Sequence, residues 1–89
     1  MLGHKLKLNF ISDAGHGWIE TPLSLVRELN IAPKISTYSY QNGLMAYLEE
    51  DCDAAILIGA LSQANIEFEL KSIYHEGESR IRNYNRFVA

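Results

Sequence analysis

The chain has 89 residues, a formal net charge of −3, 47% apolar and 21% charged residues, and one cysteine. That length makes one domain over residues 1–89 with no room for two cores, and the composition belongs to a folded chain, not a disordered one. The weak negative charge speaks against a protein that wraps duplex DNA, and the lone Cys52 excludes both an intramolecular disulfide and a cysteine-cluster zinc site.

Residues Lys5 to Ile11 alternate polar and apolar. This predicts a half-buried strand with Leu6, Leu8 and Phe10 toward the core and Lys5, Lys7 and Asn9 toward solvent. A glycine-bracketed loop follows, and Trp18 to Glu20 reads as a short second strand. Thr21-Pro22 then reads as a helix start, with Thr21 as N-cap and Pro22 at the first helical position. Leu25, Val26 and Leu29 keep helical spacing, Asn30 ends the helix, and Pro33 prevents it from resuming.

Ile35 to Gln41 and Leu44 to Leu48 form a predicted hairpin around Asn42-Gly43, a dipeptide that tolerates positive φ at both turn positions. A two-residue turn there pairs Gln41 with Leu44, sets Tyr40 opposite Met45 and sets Tyr38 opposite Tyr47. The tyrosines then share one face, with Thr37, Ser39, Ala46 and Leu48 on the other. Glu49-Glu50-Asp51-Cys52-Asp53 reads as the acidic first turn of a helix running through Ala54 to Ala64, its charge matched to the positive end of the dipole. Ile66 to Leu70 alternates again as a strand. After the loop His75 to Glu78, Ser79 caps a last short helix bearing Ile81, Tyr84 and Val88 on one side and Arg80, Arg82 and Arg86 on its surface. These elements predict an α+β domain: a small antiparallel sheet of about four to five strands with two to three helices packed mainly on one face.

Five groups of residues carry candidate chemistry. Asp13 and His16 lie three positions apart in the glycine-bracketed loop, a spacing open to a metal site or an acid–base pair, with His75 or one of Glu49, Glu50 and Asp51 able to complete it. Gly15 and Gly17 would there let the backbone approach a ligand closely. The plainer reading is local: Asp13 caps a turn, the glycines supply positive φ, and His16 hydrogen-bonds nearby. No metal ligand set and no cofactor motif is specific, since neither the calcium-loop spacing nor the phosphate-loop pattern is present. The acidic run Glu49 to Asp53 offers a face for a basic partner. Tyr38, Tyr40 and Tyr47, beside Met45 on the hairpin, offer aromatic anchors if that sheet face is open, and core packing if it is covered. Arg80, Arg82 and Arg86 offer contacts to phosphate or single-stranded nucleic acid, or ion pairs to the chain's own acids. Cys52 reads as a buried structural cysteine whose acidic neighbours raise its thiol pKa.

Four segments taken in order carry a resemblance: Ser12-Asp13-Ala14-Gly15-His16-Gly17-Trp18-Ile19-Glu20, Ile35-Ser36-Thr37-Tyr38-Ser39-Tyr40, Tyr47-Leu48-Glu49-Glu50-Asp51-Cys52-Asp53, and Ser79-Arg80-Ile81-Arg82-Asn83-Tyr84. This pattern, which covers most of the chain, resembles that of a group of short proteins carried by bacteriophages, prophages and plasmids. The resemblance implies a mobile-element origin and transfers no catalytic residues. It implies an accessory protein that binds and inhibits or redirects a host protein, for example in counter-defence against a CRISPR effector.

The expectation is therefore a cytoplasmic protein of a bacterial host cell, without a cofactor. Its partner surface joins Trp18, Tyr38, Tyr40 and Tyr47 with Glu49, Glu50 and Asp51. The alternatives are a small metal-assisted or acid–base enzyme centred on Asp13 and His16, and a single-stranded nucleic-acid binder using Arg80, Arg82 and Arg86. No membrane partner is expected, because the apolar run Ala54 to Leu61 is too short to span a bilayer and no signal peptide follows Lys5 and Lys7. A homodimer through an unpaired strand edge is a further expectation.

Overall fold

The alternating segment near the start of the chain becomes one of the inner strands of a six-stranded sheet. The structure is a computed structural model, and it describes residues 5–89. In chain order the elements are β1 (Leu6–Ser12), β2 (Gly17–Pro22), α1 (Leu23–Glu28), a 3-10 turn (Ala32–Lys34), β3 (Tyr40–Asn42), β4 (Met45–Glu49), α2 (Ala54–Gln63), β5 (Phe68–Tyr74), a second 3-10 turn (Arg80–Asn83) and β6 (Asn85–Arg86).

The spatial order is β5-β1-β2-β4-β3-β6. All neighbours pair antiparallel except β1 and β5, which run parallel. The fold is α+β as expected, with more strands and one parallel pairing. The parallel pair follows from connectivity. Strands β4 and β5 point the same way, so the chain between them must cross the sheet, and α2 is that crossover.

Register divides the side chains cleanly between two faces. Phe10 lies opposite Ile19, and Ile19 opposite Leu48. These residues, with Leu8 and Ala46, meet Leu23 and Val26 of α1 and Ala54, Leu57 and Leu61 of α2 in the main core. Both helices therefore cover one face. On the other face Trp18, Tyr47 and Ile81 form a smaller buried cluster flanked by Ile11, Tyr40, Met45 and Tyr84. The C-terminal segment, not a helix layer, covers that side.

Both helices stop by the same device. Asn30 and Asn65 take positive φ just past the helix ends. Ile31 N–H donates to Val26 O and Asn30 N–H to Arg27 O, and Ile66 N–H donates to Leu61 O and Asn65 N–H to Ser62 O. This is the paired 6→1 and 5→2 bonding of a Schellman motif, with asparagine replacing the usual glycine.

Four local expectations are corrected. Thr21 does not cap α1: it belongs to β2, its hydroxyl is buried without a partner among the described residues, and Pro22 holds the cap position with no side-chain hydrogen bond. The hairpin turns at Gly43-Leu44, with Asn42 opposite Met45 and Tyr40 opposite Tyr47. Gly43 alone of the two has positive φ, as a type II′ turn requires. This moves the pairing by two residues, which preserves the faces but leaves Tyr38 outside the strand. The acidic run is not a helix turn. Glu49 ends β4, residues 50–52 turn, and Asp53 precedes α2 with its side chain directed back toward Ser36 and Ser39. Finally, the last helix is only a 3-10 turn, capped as expected by Ser79, which accepts from Ile81 N–H. Val88 lies beyond it and is 71% exposed.

Candidate functional site

The loop between β1 and β2 is organised around the Asp13 carboxylate. Asp13 Oδ1 accepts from the N–H groups of Gly15 and His16, each at 3.0 Å. Oδ2 accepts from Ser79 N–H at 2.9 Å. The Arg82 guanidinium closes the set by donating from Nε to Oδ2 and from Nη2 to Oδ1, both at 2.8 Å. The Asp13 side chain is 1% exposed. Arg82, then Ser79 N–H, hold its carboxyl well below the usual carboxylate range despite burial, and Asp13 in turn raises the guanidinium. An acceptor with this many donors and so low a proton affinity has no capacity left for base catalysis. The capping role expected of Asp13 is present, together with a long-range ion pair that its local sequence did not signal.

The glycines beside it serve close approach, not positive φ. A Cβ on Gly15 would stand 2.9 Å from Arg82 Nη2, and a Cβ on Gly17 would run into the Phe10 ring. The groups that approach these glycines are the chain's own side chains.

Strand pairing then aligns the next residues on the face opposite the helices. Trp18 lies across from Glu49, and Tyr40 across from Tyr47. An open groove of about 440 Å³ runs over this part of the sheet. His16, Glu49, Asp51 and Cys52 line one part of it, Tyr38, Tyr40 and Trp18 the aromatic part, and Arg82 and Arg86 the cationic part. Tyr38 is 65% exposed. Trp18 is buried, its indole N–H has no acceptor among the described residues, and Tyr40 meets it edge-on at 6.3 Å between ring centroids. The Arg86 guanidinium stacks over Tyr40 at 4.7 Å and donates to Thr37 O.

His16 stands at the end of this groove. Its Nδ1 is 3.6 Å from Glu49 Oε2, and among the described residues the donor atoms of His16, Glu49 and Asp51 all lie within 4.8 Å of one another. This trio, and not Asp13 with His16, is the arrangement that could hold a metal. Cys52 is exposed at its rim instead of buried, and desolvation followed by the Glu49 carboxylate raises its thiol, which keeps it a weak nucleophile.

The remaining predicted residues fall elsewhere. Tyr47 is buried, and its hydroxyl donates to Glu20 Oε2 at 3.0 Å. Burial, then that carboxylate, push its phenol upward in pKa. Tyr47 lines a second cavity of about 260 Å³ with Ile81, Tyr84, His75 and Arg80. Glu50 is exposed but does not line the groove. The three arginines divide between two places: Arg82, tied to Asp13, and Arg86, stacked on Tyr40, both line the groove, while Arg80 lines the second cavity. Neither the Asp13–Arg82 pair nor the Asp53 network was foreseen, since both connect segments far apart in the chain. Among the described residues no helix is long and apolar enough to cross a membrane. No protein-family model matches the chain, and neither a curated protein nor a solved structure matches it.

Proposed function

We propose that the chain is a binding protein that captures a partner protein in the groove floored by Trp18 and Tyr40. One observation carries this reading. The groove combines an exposed aromatic anchor, Tyr38, with the carboxylates of Glu49 and Asp51 and the guanidinium of Arg86 in one lining. An aromatic ring in a groove lined by charges of both signs favours a protein segment with its own apolar anchor and complementary charges. Tyr47 drops out of the surface first expected, because it is buried, and His16 and Arg86 enter it.

The mobile-element resemblance supplies the class of partner: a protein of the bacterial host, met in its cytoplasm, with counter-defence as the role. Catalysis centred on Asp13 and His16 draws no support from a carboxylate already saturated by Arg82 and backbone donors. Single-strand binding draws less support, because Arg82 is engaged by Asp13, Arg86 lies over Tyr40, and Arg80 lines a different cavity.

The test is capture from host lysate by the immobilised chain, comparing wild type with Tyr38→Ala/Arg86→Ala. A Glu69→Ala control changes β5, away from the groove. A stoichiometric host protein that is retained by the control and lost in the groove variant supports the reading. Retention by both proteins overturns the choice of surface, and the absence of any partner overturns the binding function.

A further inference from the structure

We infer that His16, Glu49 and Asp51 form a binding site for one divalent transition-metal ion, with zinc the best-matched species. The argument does not depend on which partner the groove takes. Two separate pieces of backbone bring these residues together. His16 ends the β1–β2 loop, Glu49 ends β4, and Asp51 lies in the turn that follows. A hydrogen bond from Glu50 N–H to Gly17 O ties that turn to the start of β2.

Glu49 is the observation that points to a ligand. Its side chain is 9% exposed, so it is a carboxylate taken out of water. One oxygen, Oε1, accepts from Asp51 N–H at 3.0 Å. The other, Oε2, is directed at His16 Nδ1, and at 3.6 Å that approach is too long for a good hydrogen bond. Among the described residues no nitrogen or hydroxyl donor hydrogen-bonds Oε2; the Cys52 thiol is the remaining donor against this carboxylate. A carboxylate taken out of water costs free energy unless a cation or donors compensate its charge, and a metal ion between Oε2 and His16 Nδ1 would do so.

The spacing suits a metal. Two ligand atoms about 2.0–2.2 Å from a tetrahedral zinc lie about 3.4 Å apart, close to the His16–Glu49 separation. Asp51 comes within range by rotation of an exposed side chain. The Asp51 N–H bond to Oε1 is the kind of outer contact that fixes a ligating carboxylate and aims its free oxygen. One imidazole with two carboxylates is a borderline nitrogen–oxygen set that suits zinc or manganese better than magnesium or calcium. Three protein ligands leave a fourth position open to the groove, where water or a partner's donor atom completes the shell.

Calorimetric titration of the tag-free, chelator-treated chain with zinc chloride at neutral pH tests the site. The expected result is one ion per chain. His16→Ala and Asp51→Asn, both at exposed positions, each weaken binding at least tenfold, while Glu50→Gln leaves it unchanged. A second measurement needs no substitution: nitrogen NMR of the wild-type histidines shows whether His16 Nδ1 shifts on saturation. The single tryptophan adds a local reporter, because the Trp18 ring centroid is 6.1 Å from that of His16. Cobalt(II) bound at this site quenches its fluorescence. No saturable zinc binding, binding unaltered by both His16→Ala and Asp51→Asn, or an unshifted His16 imidazole in zinc-saturated protein would overturn the inference. None of these results bears on capture through Tyr38 and Arg86, so the two proposals can fail separately.

Discussion

Asp13 and Asp53 are both buried, and each fastens a loop to a distant part of the chain, but they are satisfied by different chemistry. Every donor at Asp13 is an N–H group: three backbone amides and two from the Arg82 guanidinium. At Asp53, Ser36 N–H reaches both oxygens at 3.1 Å, and the hydroxyls of Ser36 and Ser39 donate to Oδ2. An N–H group only donates, whereas a hydroxyl can turn and accept. The Asp13 network is therefore specific for a carboxylate, and the Asp53 network tolerates an amide. The first holds the C-terminal segment over the Trp18–Tyr47 face. The second holds the β3 approach against the start of α2.

This contrast is most exposed by amide substitution at Asp13. Asp13→Asn aims an NH₂ group at obligate donors on whichever side it turns, and should cost about 2–3 kcal/mol in urea-induced unfolding. The same carboxylate gives a pH signature. Its folded-state pKa is depressed, so its contribution is fully present above the unfolded-state value of about 3.9 and declines as pH falls through and below that value. Unfolding curves between neutral pH and the acid range should show a steeper loss of stability in wild type than in Asp13→Asn. Equal slopes would mean that Arg82 and Ser79 do not hold the charged form.

A smaller effect asks whether the Asp13 loop is held by its carboxylate alone. Gly17→Ala places a methyl group against the Phe10 ring and should cost about 1–2 kcal/mol. Adding Phe10→Leu should recover part of that loss relative to the sum of the single changes, measured as a double-mutant cycle. Asp53→Asn comes next, at about 1 kcal/mol, because Ser36 and Ser39 can rearrange around an amide. A loss equal to that of Asp13→Asn would erase the distinction between the two networks. Least affected is Tyr38→Ala, expected within about 0.5 kcal/mol of wild type in the same unfolding assay because most of its ring is already in water. A larger loss would show Tyr38 to be structural and remove it from the proposed partner surface.

Much of the groove was legible residue by residue but not as an assembly. Trp18, Tyr38, Tyr40, Glu49 and Asp51 each show their chemistry in the sequence; strand register brings Trp18, Tyr40 and Glu49 to one face, and Tyr38 and Asp51 join the groove from outside the strands. Tyr47 was named for the same reason, yet the C-terminal segment buries it beneath Ile81 and Tyr84. Period-two patterning reports which residues share a face and is silent on what later covers that face. The grouping of Arg80, Arg82 and Arg86 holds only in part for a related reason: it assumed a helix where the chain makes a 3-10 turn and then a strand, which leaves Arg82 and Arg86 in the groove and sends Arg80 to the second cavity.

The sequence by itself determined the local features. These are the alternation that makes β1, the glycine that turns the β3–β4 hairpin, the asparagine that ends α1, the serine cap at residue 79 and the α+β class, all set by neighbours a few positions away. Tertiary structure alone decided the partners of the charged groups. Arg82 meets Asp13 across 69 positions, Ser36 meets Asp53 across 17, and His16 meets Glu49 only because β2 and β4 are adjacent. Such pairings depend on how the chain returns through space, and no local periodicity encodes them. They also set the environment of the loop, because the same Asp13 that the sequence offers as a turn cap or as half of an acid–base pair is buried, paired and fully occupied once the C-terminal segment folds over it.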